Sequence, residues 1–401
     1  MGVEGGRVRG VRRALKALAR VVLVMASVST LVATGLGWYL QQSLDRGLVT
    51  SDAVDKPQPA KVGEPFTALL VGLDARTDAA GNPLPQALLD AMHAGPDEGQ
   101  LHTDTIILLH VPAAPGEPAV AISIPRDSYV EIAGSRGKHK INSAYWRGVE
   151  DAKESLAKQG ITGADLDRRT REAGRRTLIA TVEALTGVGI DHFAEINLVG
   201  FLELTDALGG VPVCLNHAVR DSYSGIDLPA GPQTVSGPAA LAFVRQRHGL
   251  EAGDLDRIAR QQAFIAGLTQ RLNAAGTLTD PTQLNRLVQL VTRHVVIDRG
   301  WDVDEAAAQL RRLSGGDLTF RTIPTGRPDL ETPFDGIAVQ IDPDDVRSFV
   351  RSLIYGAPVA STATPTTAPT ATPSRSATPS PTTTPTTTPR VIAANEVPCV
   401  N

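Results

Sequence analysis

Three short apolar runs, each bounded by charge, constrain this fold more than any other feature of the chain. Residues 66–73 read FTALLVGL and stop at Asp74, with Arg76 just beyond. Residues 105–111 read TIILLHV and start just after Asp104. Residues 120–124 read VAISI and run into Pro125, Arg126 and Asp127. Short aliphatic runs without polar alternation read as strands buried on both faces. If the three pair antiparallel in chain order, the end of the first, the start of the second and the end of the third meet at one sheet edge. That edge gathers Asp74, Asp104 and Arg126. Two carboxylates and a guanidinium suit a hard divalent cation, Mg²⁺ or Mn²⁺, bound together with phosphate. Taken alone, each aspartate fits turn or capping chemistry at a strand end equally well.

A second stretch, residues 241–265 (LAFVRQRHGLEAGDLDRIARQQAFI), reads as strand, polar loop and helix. On a strand, Arg245 and Arg247 share one face. On a helix beginning near Gly253, residues Asp254, Arg257 and Gln261 fall at i, i+3 and i+7, again one face. The stretch aims three guanidiniums, a carboxylate and an amide at one place. Guanidinium forks match phosphate oxygens in pairs, so the reading is a phosphate or pyrophosphate site. The alternative is a structural salt-bridge network, and Asp256 with Arg260 at i, i+4 has that character. His248 reads as a polar loop residue. Lys138, His139 and Lys140 read as a solvated basic loop, with a lysine touching phosphate as the alternative.

The rest of the body, residues 61–356, alternates strand and helix signals. A long insert between Arg76 and Asp104 contains a short helix over residues 86–93. The arginine-rich residues 151–176 read as a mostly solvated helical face, with Leu178, Val182 and Leu185 turned to the core and Gly187 ending the helix. Strands are expected at 192–198, 211–215, 319–323 and 337–341. Helices are expected up to Leu208, at 261–274 and at 284–296, and residues 221–240 read as turns. This spacing predicts an α/β fold, of mixed α+β character, with helices packed on a central mixed sheet.

Outside the body the chain changes character. Residues 1–20 carry six basic side chains against Glu4, and residues 21–40 carry no charge. Twenty helical residues span about 30 Å, a bilayer's hydrocarbon core, and Trp38 and Tyr39 close the run where interfacial aromatics belong. The reading is a single transmembrane anchor with a cytoplasmic N-terminus and an extracellular body; a cleaved signal peptide is the competing one. Residues 41–60 read as a polar stalk. Residues 357–390 are nearly all Pro, Thr, Ser and Ala and read as a disordered linker, followed by a tail at 391–401. Cys214 and Cys399 are the only cysteines, which excludes a zinc ribbon or a redox CxxC. Outside the membrane a Cys214–Cys399 disulfide is permitted, with free thiols or an intermolecular bond as alternatives. A net charge of −4 gives no general attraction to nucleic acid. Nucleophile-elbow, P-loop, dinucleotide-fold and HExxH signatures are all lacking from the sequence.

Six segments, taken in order, resemble the LytR-CpsA-Psr family: LLVGLDAR, TDTIILL, SIPRD, KINSAY, the Ala-Leu-Gly-Gly-Val at 207–211, and FVRQRHGLEAGDLDRIARQQ. The resemblance covers roughly residues 65–275 and fits a wall-associated, actinobacterial-type member. It implies a central sheet flanked by helices with an apolar pocket for a polyprenyl chain. It also implies Mg²⁺-dependent transfer of a glycopolymer or glycan from a polyprenyl-pyrophosphate carrier to a muramic acid hydroxyl of peptidoglycan, forming a phosphodiester. By motif, Asp74 and Asp104 hold the metal, Arg126, Arg245, Arg247 and Arg257 hold the pyrophosphate, and Asp254 and Gln261 orient the arginines. Arg76, Asp127 and Lys140 are secondary substrate-binding assignments. The long interval from Asp74 to Asp104 departs from compact members and affects the lid over the site. Two alternatives keep the same residues: a pyrophosphatase with water as acceptor, and a non-catalytic polyprenyl-phosphate-binding scaffold. Transcriptional regulation is disfavoured by the exported body and the lack of a helix-turn-helix signature.

Overall fold

The computed structural model describes residues 49–55, 64–78, 81–95, 99, 101–114, 117–250, 253–274, 281–301, 318–356, 392–393 and 397–401. The basic segment 1–20, the apolar run 21–40 and the linker 357–390 lie outside the described residues. No helix among the described residues is long and apolar enough to cross a membrane.

The chain begins with β1 (Val49–Ser51), β2 (Phe66–Asp74), α1 (Gln86–Ala91), β3 (His102–Val111) and β4 (Ala119–Ser123). Next come β5 (Ser128–Glu131), β6 (Lys138–Lys140), α2 (Ala144–Lys158), α3 (Gly163–Thr186), β7 (His192–Asn197) and α4 (Leu198–Ala207). β8 (Val211–Leu215), β9 (Val219–Asp221), β10 (Ile226–Leu228) and β11 (Gly231–Val235) lead into α5 (Gly237–Arg245) and α6 (Asp254–Ala274). α7 (Pro281–His294), β12 (Val295–Asp298), β13 (Leu318–Thr322), β14 (Leu330–Thr332), β15 (Gly336–Gln340) and α8 (Pro343–Tyr355) follow, with β16 (Ile392–Ala393) and β17 (Cys399–Val400) last.

Eight strands form the central mixed sheet in the order β1-β12-β7-β2-β3-β4-β13-β16. β2, β3 and β4 are neighbours and antiparallel in chain order, as the three apolar runs require. β7 and β13 join this trio in parallel on either side. Alternate residues feed two different cores. Leu69, Val71, Ile106, Leu108 and Ile122 pack with Tyr145, Leu178, Val182 and Val346 of α2, α3 and α8. Ala68, Ile107, Leu109 and Ala121 face the other way and pack with Ala266 of α6. Covering both faces removes any need for polar alternation in these strands. A third apolar layer joins α1, α4, α5 and α6 to the small sheet β11-β8-β17. There Gly267 lets α6 approach β8: a Cβ at that position would lie 2.1 Å from the Pro212 carbonyl oxygen.

Several expectations are corrected. Residues 241–244 are helical, within α5, so Arg245 and Arg247 share no strand face. Pro238 sits in the first turn and Ala239 to Ala242 follow with strong helix propensity; the apolar Phe243-Val244 pair misled the local reading. Lys138 to Lys140 form a strand rather than a loop, paired with β5. Residues 221–240 hold β10, β11 and the start of α5 rather than turns alone. Residues 49–55, within the expected stalk, belong to the fold: β1 pairs in parallel with β12, and Ala53 and Val54 are buried. The arginine-rich helix is not wholly solvated either. Arg175 is buried and donates to both carboxylate oxygens of Glu195, at 2.9 and 3.1 Å.

Cys214 and Cys399 form a disulfide that holds β17 beside β8. The end of the chain is pinned further by Asn216 Nδ2, which donates to Asn401 Oδ1 at 2.8 Å, and by Arg260 Nε, which donates to the Asn401 carbonyl. Closing a loop across 185 positions constrains the unfolded chain strongly, with an upper figure of about 5 kcal/mol and typical values of about 2–4 kcal/mol. Replacing both cysteines with serine is expected to lower unfolding stability by that typical amount in urea titrations. An unchanged midpoint would mean that the tail contributes nothing to the fold.

Candidate active site

The site forms at the sheet edge where β2 ends, β3 starts and β4 gives way to Pro125-Arg126-Asp127. Gly72 pairs with Thr105 and Leu73 with Thr103, so the ladder skips Asp104. Asp104 is the extra residue of a bulge, a feature that re-aims a side chain at a strand end. Arg126 Nη1 donates to Asp104 Oδ1. Asp74 faces Arg76 across 3.1 Å, and Arg76 Nη2 donates to the Ala94 carbonyl at 2.6 Å.

The second half of the site comes from the end of α5 and the start of α6, which return the chain to this edge. Arg245, in the last turn of α5, donates to the Met92 carbonyl at 3.1 Å. Arg247 Nη2 donates to Asp127 Oδ2 at 3.0 Å. Arg257 is buried and pairs with Asp254 one turn earlier on α6. Among the described residues the Gln261 amide donates to the Val244 carbonyl at 3.4 Å and ties α6 to α5. Asp127 has a larger place than a secondary contact. Beyond Arg247 it has Lys140 Nζ and Arg126 Nε each at 3.6 Å from Oδ1, so one buried carboxylate organises three cations. The helical path of α5 therefore reaches the arrangement that a strand was expected to supply.

The electrostatics divide the carboxylates into two kinds. Burial pushes Asp104 up, but Arg126, Arg257 and Arg245 outweigh it and hold the carboxyl down at about 2. Asp74 is raised, first by burial and then by the charge of Asp104. Asp254 is raised by burial against the opposing pull of Arg257. Like charges at Asp74 and Asp104 are what a cation would relieve. Among the described residues no group of three or more His, Cys, Asp or Glu side chains could hold a metal. The pair therefore fits a hard cation that keeps waters and takes further oxygens from a phosphate ligand, and it does not fit an all-protein cage. Three buried donors, Nε of Arg76, Arg126 and Arg257, find no hydrogen-bond acceptor among the described residues. Buried donors are normally satisfied, and these three suit an anion.

The model of the LytR_cpsA_psr family matches residues 40–322. The cell wall biosynthesis protein LcpA of Corynebacterium glutamicum is 41% identical over 348 residues, 84% of this chain and 65% of the relative. A polyisoprenyl-teichoic acid–peptidoglycan teichoic acid transferase TagU of Oceanobacillus iheyensis is 32% identical, over 55% of this chain and 60% of the relative. The chain thus spans under two thirds of each relative's length. Bacillus subtilis TagV has the same fold, with a TM-score of 0.52 at 21% identity over 74% of this chain and 99% of that one. The LytR-Csp2A-Psr enzyme of Actinomyces oris has a TM-score of 0.52 at 20% identity over 78% and 97%. With the strand-edge aspartates, the arginine loop and the family match all falling in one continuous region, this chain belongs to the LytR_cpsA_psr family.

Proposed function

We propose that this protein transfers a glycopolymer or glycan from a polyprenyl-pyrophosphate carrier to peptidoglycan, forming a phosphodiester, at the outer face of the membrane to which residues 21–40 anchor it. The observation that carries this reading is the convergence of Arg126, Arg245, Arg247 and Arg257 on one sheet edge beside Asp74 and Asp104. The names of the relatives, which include cell wall biosynthesis proteins and a teichoic acid transferase, support it. Arg76 and Arg245 hold the segment after α1 by its backbone carbonyls.

Asp74 and Asp104 would hold Mg²⁺, which would supply Lewis-acid neutralisation of the phosphates when bound. The arginines bind and orient the pyrophosphate and offset charge that develops on the leaving phosphate. Phosphoryl transfer depends chiefly on such positioning and electrostatics. Asp127 holds Arg247 and Lys140 in place. Of the two carboxylates that could accept the proton of the attacking hydroxyl, Asp104 is the weaker base, because three arginines keep it ionised. Asp254 is the more basic, and we assign the proton to it.

The deciding experiment incubates the purified protein with defined polyprenyl-pyrophosphate donors and peptidoglycan, with Mg²⁺ or with a chelator. Metal-dependent covalent attachment of the donor glycan is expected. Release of polyprenyl phosphate with no attachment would replace the reading with a pyrophosphatase. The assignment of Asp254 has its own test. A raised carboxyl must lose its proton to act as a base, so kcat/KM is expected to rise with pH along a limb above the ordinary carboxylate range. Asp254→Asn should remove that limb and lower kcat by about 10²–10⁴-fold. The same acid limb in the variant would move the role elsewhere.

A further inference from the structure

Tyr223 is 73% exposed, yet its ring is not loose. It stacks on the His248 imidazole with centroids 4.2 Å apart and planes 27° from parallel. Tyr223 lies in the turn between β9 and β10, which Asp221 locks. Asp221 Oδ1 accepts from the Tyr223 amide at 3.0 Å, and Oδ2 accepts from the Ser224 amide and hydroxyl at 3.2 and 2.7 Å. The Gly225 amide closes the turn on the Asp221 carbonyl at 3.0 Å. On the other side, the buried Gln246 amide donates to the His248 carbonyl at 2.9 Å. Both halves of the stack are thus mounted on fixed backbone. One half follows directly on Arg247, whose guanidinium donates to Asp127.

The roles proposed for the site give this pair no task. Phosphate is served by the arginines, and an isoprenoid tail requires a dry apolar groove rather than two exposed rings with polar tips. A preorganised aromatic face edged by a phenol hydroxyl and an imidazole nitrogen suits a ligand with one apolar face and a polar rim. A pyranose ring has that form, with axial C–H groups on its face and hydroxyls at its edge. A sugar joined to phosphate is bonded directly to the group the arginines would hold, and His248 follows Arg247 directly in the chain.

We propose that Tyr223 and His248 form a hexopyranose-binding subsite beside the phosphate-binding arginines, an inference that rests on the transferase reading. The ring belongs either to the first sugar of the lipid-linked donor or to the acceptor glycan. The full-length protein in detergent micelles separates these sources with three probes: farnesyl pyrophosphate, farnesyl-pyrophosphoryl-N-acetylglucosamine, and a tetrasaccharide of alternating N-acetylglucosamine and N-acetylmuramic acid. Tyr223→Ala is expected to weaken binding of a sugar-bearing probe by about tenfold, the scale of one lost aromatic contact, with farnesyl pyrophosphate affinity within about twofold of the parent. His248→Ala should have a smaller effect in the same direction, and Tyr223→Phe should retain most of the affinity. A loss confined to the farnesyl-linked sugar assigns the ring to the donor, and a loss confined to the tetrasaccharide assigns it to the acceptor. Unchanged affinity for both sugar-bearing probes, or an equal loss for farnesyl pyrophosphate, overturns the subsite. If the unsubstituted protein fails to bind farnesyl pyrophosphate, the transferase reading itself fails, a result distinct from loss of the subsite alone.

Discussion

Arg247→Ala is expected to cut transfer by about a thousandfold or more while leaving the unfolding midpoint almost unchanged. The two halves of this expectation have different causes. Arg247 is 41% exposed, and its partner Asp127 keeps Lys140 and Arg126 within reach after the truncation. No buried charge is stranded, and a half-exposed ion pair contributes little to stability. Turnover is another matter. On the proposed function the Arg247 guanidinium fork would stabilise charge where it develops on the pyrophosphate. Arg247→Lys should recover only part of the activity, since an ammonium supplies charge without the paired geometry. The check is product formation from a lipid-pyrophosphate donor and peptidoglycan, alongside thermal unfolding of each variant. Full activity in Arg247→Ala would remove this residue from the site.

The sheet edge was legible in the sequence because its determinants are local. Each of the three apolar runs carries its own charged end, and antiparallel pairing in chain order is the simplest connection between them. The meeting of Asp74, Asp104 and Arg126 follows from these facts alone. The arginine loop was legible in its residues but not in its backbone. Ala239 to Ala242 favour helix, and the strand reading rested on Phe243 and Val244. The site still assembled because residues 246–250, with Gly249 among them, turn the chain back, whatever element precedes them. Other features depend on partners far along the chain and carry no local signal. The bulge at Asp104 exists only in the register of β3 against β2. Asp127 gathers Arg247 and Lys140, which lie on separate elements. Arg175 is buried because Glu195, on β7, meets it inside the fold. In residues 151–176 it reads like any other helical arginine. The Tyr223–His248 stack is of the same kind: neither residue stands out until the β9–β10 turn brings them together.

The Arg126–Asp104 pair offers a way to separate folding from chemistry. Each side chain is only 18% exposed. Arg126→Met would leave Asp104 facing Asp74 without its nearest counter-charge. Losing one partner of a buried pair costs about 3–5 kcal/mol, and the lower end is expected here because Arg245 and Arg257 still act on Asp104. Asp104→Asn should cost less, since Arg126 retains Asp127 at 3.6 Å and the charge of Asp254. The double variant Arg126→Met/Asp104→Asn removes both charges together. Its destabilisation should fall short of the sum of the single losses by about 1–3 kcal/mol in urea titrations, the range for residues in direct contact. On the proposed function all three variants should be inactive in transfer, because each would lack a phosphate-binding fork, a metal-binding carboxylate or both. Additive stability losses would show that the pair is not energetically coupled in the fold. Recovery of transfer in the double variant would mean that Arg126 and Asp104 serve the fold alone. Recovered stability without recovered transfer is the outcome that assigns the pair to the chemistry as well as to the fold.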